Sequence, residues 1–134
     1  MKTEMHVEKW NQAVMEGRPE AWDALVAEQV VDRTGGLERV GRSSFKERVA
    51  AVRAVFSDVT VRADDVVVTG DHIAWRWTLE GTQVAPFGGI APTHARVAMR
   101  GVNFQRLEGG RVMEHWSLVD VAGAMAQLKA LAPQ

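Results

Sequence analysis

A chain of 134 residues with a formal net charge of -1, from 16 basic and 17 acidic residues, predicts one domain over residues 1–134. No basic block is present, which argues against nucleic-acid binding, and the lack of cysteine excludes disulfides, thiolate catalysis and cysteine-ligated metal. The N-terminal residues lack the apolar core of a signal peptide, and no apolar run is long enough to span a bilayer. We therefore expect a cytoplasmic protein without membrane contact.

Helical periodicity marks the beginning of the chain. Apolar residues recur at spacings of three and four over Val7–Val14, and Gly17 ends the predicted helix. A second short apolar face at Trp22–Val26 is followed by a predicted short strand at Gln29–Arg33 and a turn at Gly35-Gly36. Helices therefore come before the main run of strands.

The strongest helix pattern comes after this turn. Ser44 and Glu47 match a capping box, in which a serine caps the helix and a glutamate three residues later bonds back to it. The apolar face of this predicted helix consists of Phe45, Val49, Val52 and Phe56. We expect that face to pack on the core.

From Val59 onward the pattern changes to strands. Val59–Arg62 and Val66–Thr69 are predicted strands, and His72–Gln83 is a longer one. Val84–Thr93 contains two prolines and two glycines and is predicted to be a loop.

The last third of the chain continues the sheet. His94–Leu107 is a predicted strand, Glu108–Gly110 a hairpin turn, and the next strand ends at Asp120 before a predicted helix over Val121–Leu131. This order predicts an α+β fold: a cone-shaped, curved antiparallel sheet with N-terminal helices packed over its concave face, enclosing a pocket.

The strand that ends at Asp120 carries the main candidate for chemistry. Alternation places Trp116, Leu118 and Asp120 on one face and His115 on the other, so we expect His115 to point outward. A carboxylate in half-buried apolar surroundings has a raised pKa and can exchange protons near neutral pH. Asp120 also has the position of a helix N-cap, and the two roles are compatible. Glu114 lies roughly 20 Å along the strand, too far away to share one reacting centre.

Further residues are predicted to line the pocket. Trp75 and Trp77 share a strand face, which is either core or pocket wall, and Asn103 and Gln105 share one that is either exposed or part of a polar cavity wall. The four histidines have no metal-ligand spacing and no phosphate-binding loop is present, so we expect neither metal nor nucleotide cofactor. The candidate contacts to a small hydrophobic or aromatic substrate are Trp75, Trp77, Gln83, Phe87, Asn103, Gln105 and Trp116.

Several segments together resemble a known family. They are Gly81-Thr82-Gln83, Pro92-Thr93, Arg100-Gly101, Gly110–Trp116 with Asp120, and Gln127-Leu128. This pattern is similar to that of the SnoaL-like polyketide cyclases (ester cyclases) of the nuclear-transport-factor-like superfamily. The resemblance implies a cofactor-independent intramolecular aldol cyclisation of an aromatic polyketide ester, with Asp120 as the general acid/base. Two positions depart from the family pattern: Gln83 stands where many members have histidine, and His94-Ala95 stands where Gly-Arg is common.

Three alternatives remain open at this point. One is an epoxide-hydrolase-like relative, which would need two carboxylates and an arginine such as Arg76 or Arg100 around one water. Another is a hydroxylation component on the same fold, and a third is a non-catalytic dimer that binds a small ligand. Since exposed sheet faces in such cones often pair, we expect a homodimer or higher homo-oligomer.

Overall fold

The computed structural model describes residues 2–131, with side chains from Met5 onward. The chain begins with two helices and two strands: α1 (Lys2–Glu16), α2 (Ala21–Leu25), β1 (Val26–Thr34) and β2 (Leu37–Val40). The remaining elements are α3 (Ser43–Val55), β3 (Phe56–Thr69), β4 (His72–Gln83), β5 (Arg96–Glu108), β6 (Arg111–Val119) and α4 (Val121–Leu131).

The six strands form one curved sheet in the order β2-β1-β6-β5-β4-β3, and the predicted α+β class is confirmed. The sheet is mixed rather than wholly antiparallel, because β1 runs parallel to β6. Short turns force consecutive strands to pair in opposite directions, but β1 and β6 are far apart in the chain and no turn constrains their pairing. Asp32 of β1 thereby becomes the neighbour of His115 of β6.

Some predicted boundaries are wrong. The two short strands predicted within residues 59–69 form the single strand β3, whose register against β4 shifts between Ser57 and Thr60 and again between Ala63 and Asp65. Such bulges bend a strand without ending it. β2 was not predicted, because all of its residues are exposed and show no alternation. β5 begins at Arg96 instead of His94, whose φ of 57° is incompatible with an extended strand.

The predicted capping box is also wrong. Helix α3 begins at Ser43 with Arg42 at the N-cap, and no side chain caps it. Ser44 lies inside the first turn, where its hydroxyl donates to the carbonyl of Gly41 at 3.4 Å, and Glu47 pairs with Arg39. Because Arg42 already has helical dihedrals, the helix begins before the serine can cap it.

Two apolar clusters connect the helices to the inner face of the sheet. In the first, Trp10 of α1 packs edge-to-face on Trp22, Phe45 and Trp75, with ring centroids 4.7, 5.6 and 6.1 Å away. In the second, α4 inserts buried side chains such as Leu128 between the strands and the end of α3. The helices therefore cover the concave face of β4, β5 and β6.

Candidate active site

A cavity of about 110 Å³ lies between the helices and the concave face of the sheet. Large apolar side chains form most of its wall, chiefly Trp10, Trp22, Phe45, Trp77, Leu79 and Met99. Its polar wall residues are Asn11, Arg48, Asn103, His115 and Ser117. Among the described residues, no aspartate or glutamate lines this cavity, so its chemistry rests on neutral hydrogen-bonding groups and one arginine.

Asn103 is the centre of one hydrogen-bonded group on the wall. Its Oδ1 accepts from Trp77 Nε1 at 3.1 Å and from the hydroxyl of Ser117 at 2.8 Å. An indole N–H can only donate, so the atom that faces it must be the amide oxygen. The amide Nδ2 of Asn103 is therefore directed away from both partners.

His115 belongs to a second group that reaches back to α1. Gln105 Nε2 donates to His115 Nδ1 at 2.8 Å, and Gln105 Oε1 accepts from His6 Nε2 at 2.7 Å. The His115 ring is stacked on Trp10 at 5.1 Å and is 2% exposed. Burial, partly offset by the negative charge of Asp32, lowers the pKa of His115 to about 3, and burial also lowers the pKa of His6. Both imidazoles are therefore neutral at physiological pH.

Asp32 is the buried carboxylate behind this wall. Its oxygens accept from the hydroxyl of Thr34 at 2.6 Å and from the guanidinium of Arg48. Burial tends to raise the pKa of Asp32, but the Thr34 hydrogen bond and the Arg48 charge together hold that pKa below its ordinary value. Asp32 is thus an ionised carboxylate committed to Arg48, which itself lines the cavity.

Asp120 does not have the predicted half-buried setting. It is exposed, and its Oδ1 accepts from the backbone N–H of Gly123 at 2.8 Å, so it caps α4. The strand face expected to be half-buried is the convex one, where Leu118 is 74% exposed. The burial prediction is therefore wrong and the capping interpretation is confirmed, whereas the acid/base role of Asp120 stays a prediction.

The residues predicted to contact substrate separate into those on the cavity wall and those elsewhere. Trp77 and Asn103 are on the wall, and Gln105 lies behind it, bonded to His115. Trp75 is in the core, where it packs against Trp10. Any contact of these residues with a substrate stays a prediction.

Gln83, Phe87 and Trp116 lie away from the cavity. Gln83 is fully buried, and its amide bonds the loop after β4: Nε2 donates to the carbonyls of Ala85 and Ile90, and Oε1 accepts from the Thr93 N–H. The Phe87 ring packs on Phe56 at 5.5 Å. Trp116 is on the convex face, between Phe104 at 5.5 Å and the guanidinium of Arg33 at 5.2 Å.

His115 was expected to point outward, and that prediction is wrong. The expectation followed from placing the apolar Trp116 and Leu118 inside, but the helices cover the opposite face of β6. The hairpin turn alone does not point the other way, because its register would set Gln105 opposite Glu114. A register shift next to Leu107 brings Asn103 opposite Ser117 and Gln105 opposite His115, so that four polar residues meet on one face. Asp32, His6 and Arg48 come from distant segments, and no local pattern identifies them.

Two kinds of feature are absent from the part of the chain that the structure describes. No group of three or more histidine, cysteine, aspartate or glutamate side chains is placed to hold a metal ion. No helix within residues 2–131 is long and apolar enough to cross a membrane.

Comparison with known proteins connects this chain to a family. The family model for SnoaL-like polyketide cyclase matches residues 4–128. No curated protein matches the chain.

Solved structures give the same result for the fold. IdmH of Streptomyces antibioticus, a candidate polyketide cyclase, is 28% identical with a TM-score of 0.85, covering 94% of this chain and 97% of its own. A candidate polyketide cyclase of Acidithiobacillus ferrooxidans is 25% identical with a TM-score of 0.85, covering 98% and 97%. AclR of Streptomyces galilaeus, a candidate hydroxylase, is 20% identical with a TM-score of 0.83, covers 96% of each chain, and shows the fold alone. The chain therefore belongs to the SnoaL-like polyketide cyclase family.

Proposed function

We propose that this protein is a cofactor-independent cyclase that closes a ring in an aromatic polyketide-type ester by an intramolecular aldol addition. The observation that carries the proposal is the cavity: an apolar, aromatic wall with a hydrogen-bonding group at one side, in a chain of the polyketide cyclase family. Such a wall suits a flat aromatic ring and excludes water from the reacting atoms. Because pockets for whole ligands are typically about 300–1,000 Å³, the proposal requires the cavity of about 110 Å³ to widen when the ester binds.

The reaction needs only proton transfers. A proton leaves a carbon that lies between two carbonyl groups, the resulting enolate forms a carbon–carbon bond to a second carbonyl carbon, and the oxygen of that carbonyl takes up a proton. The product is an isomer of the substrate, so no electrons enter or leave. The protein's part is to orient the two reacting carbons and stabilise negative charge on oxygen.

Asp120 is the proposed general acid/base in this reaction. It directly follows Val119, whose side chain lines the cavity, but its own carboxylate is bonded to the Gly123 N–H. The proposal therefore requires this carboxylate to leave the helix cap and turn toward the cavity. His115 is a poor substitute as base: its pKa of about 3 lies several units below that of an acidic carbon, and each unit costs about 1.4 kcal/mol in proton affinity.

A second candidate function is binding of a carbonyl compound without turnover. It is favoured by the lack of a carboxylate on the wall among the described residues, and by the cap that occupies Asp120. The hydrolase alternative has weaker support, because Asp32 is the one buried carboxylate among the described side chains and it pairs with Arg48.

We also propose that the protein forms a homodimer through the convex face of the sheet. The cross-strand pairs Val102 with Leu118 and Phe104 with Trp116 form an apolar patch there that no helix within residues 2–131 covers. Alternating charges border the patch, and Glu114 bonds both Arg33 and Arg106. A second copy related by a two-fold axis can therefore cover the apolar pairs while Glu114 of each copy keeps its own two arginines.

Ring closure in deuterated water tests the enzymatic proposal. The probe is the methyl ester of an aromatic polyketide with a β-keto side chain, and the control is an analogue whose reacting carbon carries two methyl groups and cannot form an enolate. We expect the protein to accelerate both deuterium uptake at the reacting carbon and formation of the cyclic isomer. Saturable binding of the ester without acceleration of either step would overturn the cyclase proposal and support the binding function.

A further inference from the structure

We propose that Asn103 and His115 form a two-donor site that binds one anionic oxygen, as in an enolate or a phenolate. Its catalytic use rests on the proposed cyclase function, but binding of such an oxygen does not. The ligand class is a planar, largely apolar molecule with one acidic oxygen.

The first donor is the amide Nδ2 of Asn103. Both acceptor positions of its Oδ1 are occupied, by Trp77 Nε1 at 3.1 Å and by the Ser117 hydroxyl at 2.8 Å. These two bonds hold the amide plane and prevent a flip, since a flipped amide would set N–H against N–H. Nδ2 has no partner among the described residues.

The second donor is Nε2 of His115. Its ring is neutral and carries one hydrogen, and the amide Nε2 of Gln105 donates to Nδ1 at 2.8 Å. The hydrogen therefore lies on Nε2 of His115. In this orientation Gln105 Oε1 accepts from His6 Nε2 at 2.7 Å, which goes with the His6 tautomer that carries its hydrogen on Nε2. We assign Gln105 as the positioning residue that selects the His115 tautomer.

Both free donors are open to the cavity. Among the described side chains, Trp75 Nε1 is the one buried polar atom that is sealed and without a partner. Asn103 Nδ2 and His115 Nε2 also have no partner within the described part of the chain, but they are not sealed, so a molecule the size of water can reach them. Both residues are almost completely buried and line the cavity, which leaves the cavity as the route of access.

The two donors can converge on one atom. Across the β5–β6 pair, Asn103 faces Ser117 and Gln105 faces His115, so Asn103 and His115 are diagonal neighbours on the inner face. Diagonal neighbours lie about 7–8 Å apart, within reach of a shared oxygen for side chains of this length.

The charges around the site favour an anion. Arg48 lines the same cavity, whereas Asp32, the nearby carboxylate, is buried behind the wall and ion-paired with Arg48. A neutral or positively charged donor next to an anionic oxygen is the arrangement that stabilises an enolate most, because hydrogen bonds to charged acceptors are the strong ones.

Binding of 4-nitrophenol to the whole protein tests the site, because its phenolate absorbs at longer wavelength than the neutral phenol. We expect bound 4-nitrophenol to ionise at lower pH than free 4-nitrophenol. The comparison ligand 4-nitrotoluene has no phenolic oxygen and should bind weakly.

Asn103→Leu and His115→Phe should each weaken phenolate binding by about 10- to 100-fold and leave nitrotoluene binding within about threefold. Val67→Ala, at an exposed position of β3 outside the cavity, is the control and should change neither affinity.

Gln105→Glu separates positioning from structure. A carboxylate at position 105 can only accept, so it moves a hydrogen to Nδ1 of His115, and the nitrogen-15 NMR shifts of that ring should report the change of tautomer. The affinity of Gln105→Glu for phenolate should fall with this change of tautomer, whereas its affinity for nitrotoluene should stay the same.

The wild-type protein alone can overturn the proposal, whatever the variants do to folding. If bound 4-nitrophenol ionises at the same pH as free 4-nitrophenol or at a higher pH, no anion site exists. If phenolate binds as expected and no ester is cyclised, the anion site stands and the cyclase function fails. If the ester is cyclised but phenolate is not bound in preference to the neutral phenol, the cyclase function stands and the anion site fails.

Discussion

The indole of Trp77 lies directly against Gly101, its cross-strand partner on β5, so that a Cβ atom at position 101 would be 2.2 Å from Cζ2 of the ring. The same indole donates to Asn103 at 3.1 Å. The missing side chain at Gly101 therefore sets the position of the cavity wall and, through it, the orientation of the Asn103 amide.

Gly101→Ala should push the indole out of this position. We expect a loss of about 1–3 kcal/mol in the free energy of unfolding, together with weaker phenolate binding as the bond from Trp77 to Asn103 breaks. Urea denaturation measures the first effect. Combining the change with Trp77→Phe, which shortens the ring, should cost less than the sum of the single changes, and strict additivity would show that the contact does not limit the site.

Asp32→Asn should destabilise the protein by about 2–3 kcal/mol, because it removes the buried partner of Arg48. Glu47→Gln is the matched control: it removes one partner of an exposed arginine pair, with Arg39, and should cost less than about 1 kcal/mol. Equal effects of the two changes on denaturation midpoints would argue against a structural role for the buried pair.

Stability should depend on pH through His115. Its pKa in the folded protein is lowered from 6.5 to about 3, so below pH 6.5 the unfolded chain takes up a proton that the folded chain does not. The contribution of His115 to the free energy of unfolding is therefore fully present above pH 6.5. It is lost as the pH drops toward 3, by up to about 5 kcal/mol. The lowered pKa of Asp32 acts in the same direction at the acid end.

His115→Gln tests this assignment. Urea denaturation from about pH 7 to about pH 5 should give a smaller slope of stability against pH for the variant than for the wild type. The slope is informative even where the variant is less stable at every pH. Parallel curves would mean that another group carries the dependence.

Substitutions at Asp120 separate its cap from its proposed chemistry. Asp120→Asn keeps an oxygen for the Gly123 N–H, so its stability should stay within a few tenths of a kcal/mol, whereas Asp120→Ala should cost about 1 kcal/mol. If Asp120 is the acid/base, both variants should lose turnover by roughly 10²- to 10⁴-fold. Full activity in Asp120→Asn would leave the residue as a cap only.

Leu118→Lys should prevent the proposed dimer. Leu118 is 74% exposed in the single chain and central to the convex patch, so a lysine there would place a charge in the interface. Sedimentation should show a dimer for the wild type and a monomer for this variant. Leu131→Lys replaces an exposed leucine on α4 and should leave the dimer intact; a wild-type monomer would reject the proposal.

Much of the fold was predictable because it depends on local signals. The strand His72–Gln83, the glycine turn after β5 and the helix Val121–Leu131 occur where turn residues and periodicity placed them. Predictions failed where a local pattern had two solutions. A bulged strand looks like two short ones, and a serine followed by a glutamate looks like a cap even inside a helix that has already begun.

The sequence by itself determined which residues from His115 to Asp120 share a face, because alternation along an unbroken strand is a local property. A register shift before His115 breaks the alternation, so Val112 is buried on the same side of β6 as His115. The sequence did not determine which face the helices cover, since alternation is symmetric and β6 has apolar residues on the side that remains open. Only the tertiary structure decided that His115 faces inward and Asp120 outward. It also brought His6 to Gln105 and Asp32 beside His115 from distant parts of the chain, because such contacts depend on how whole layers pack.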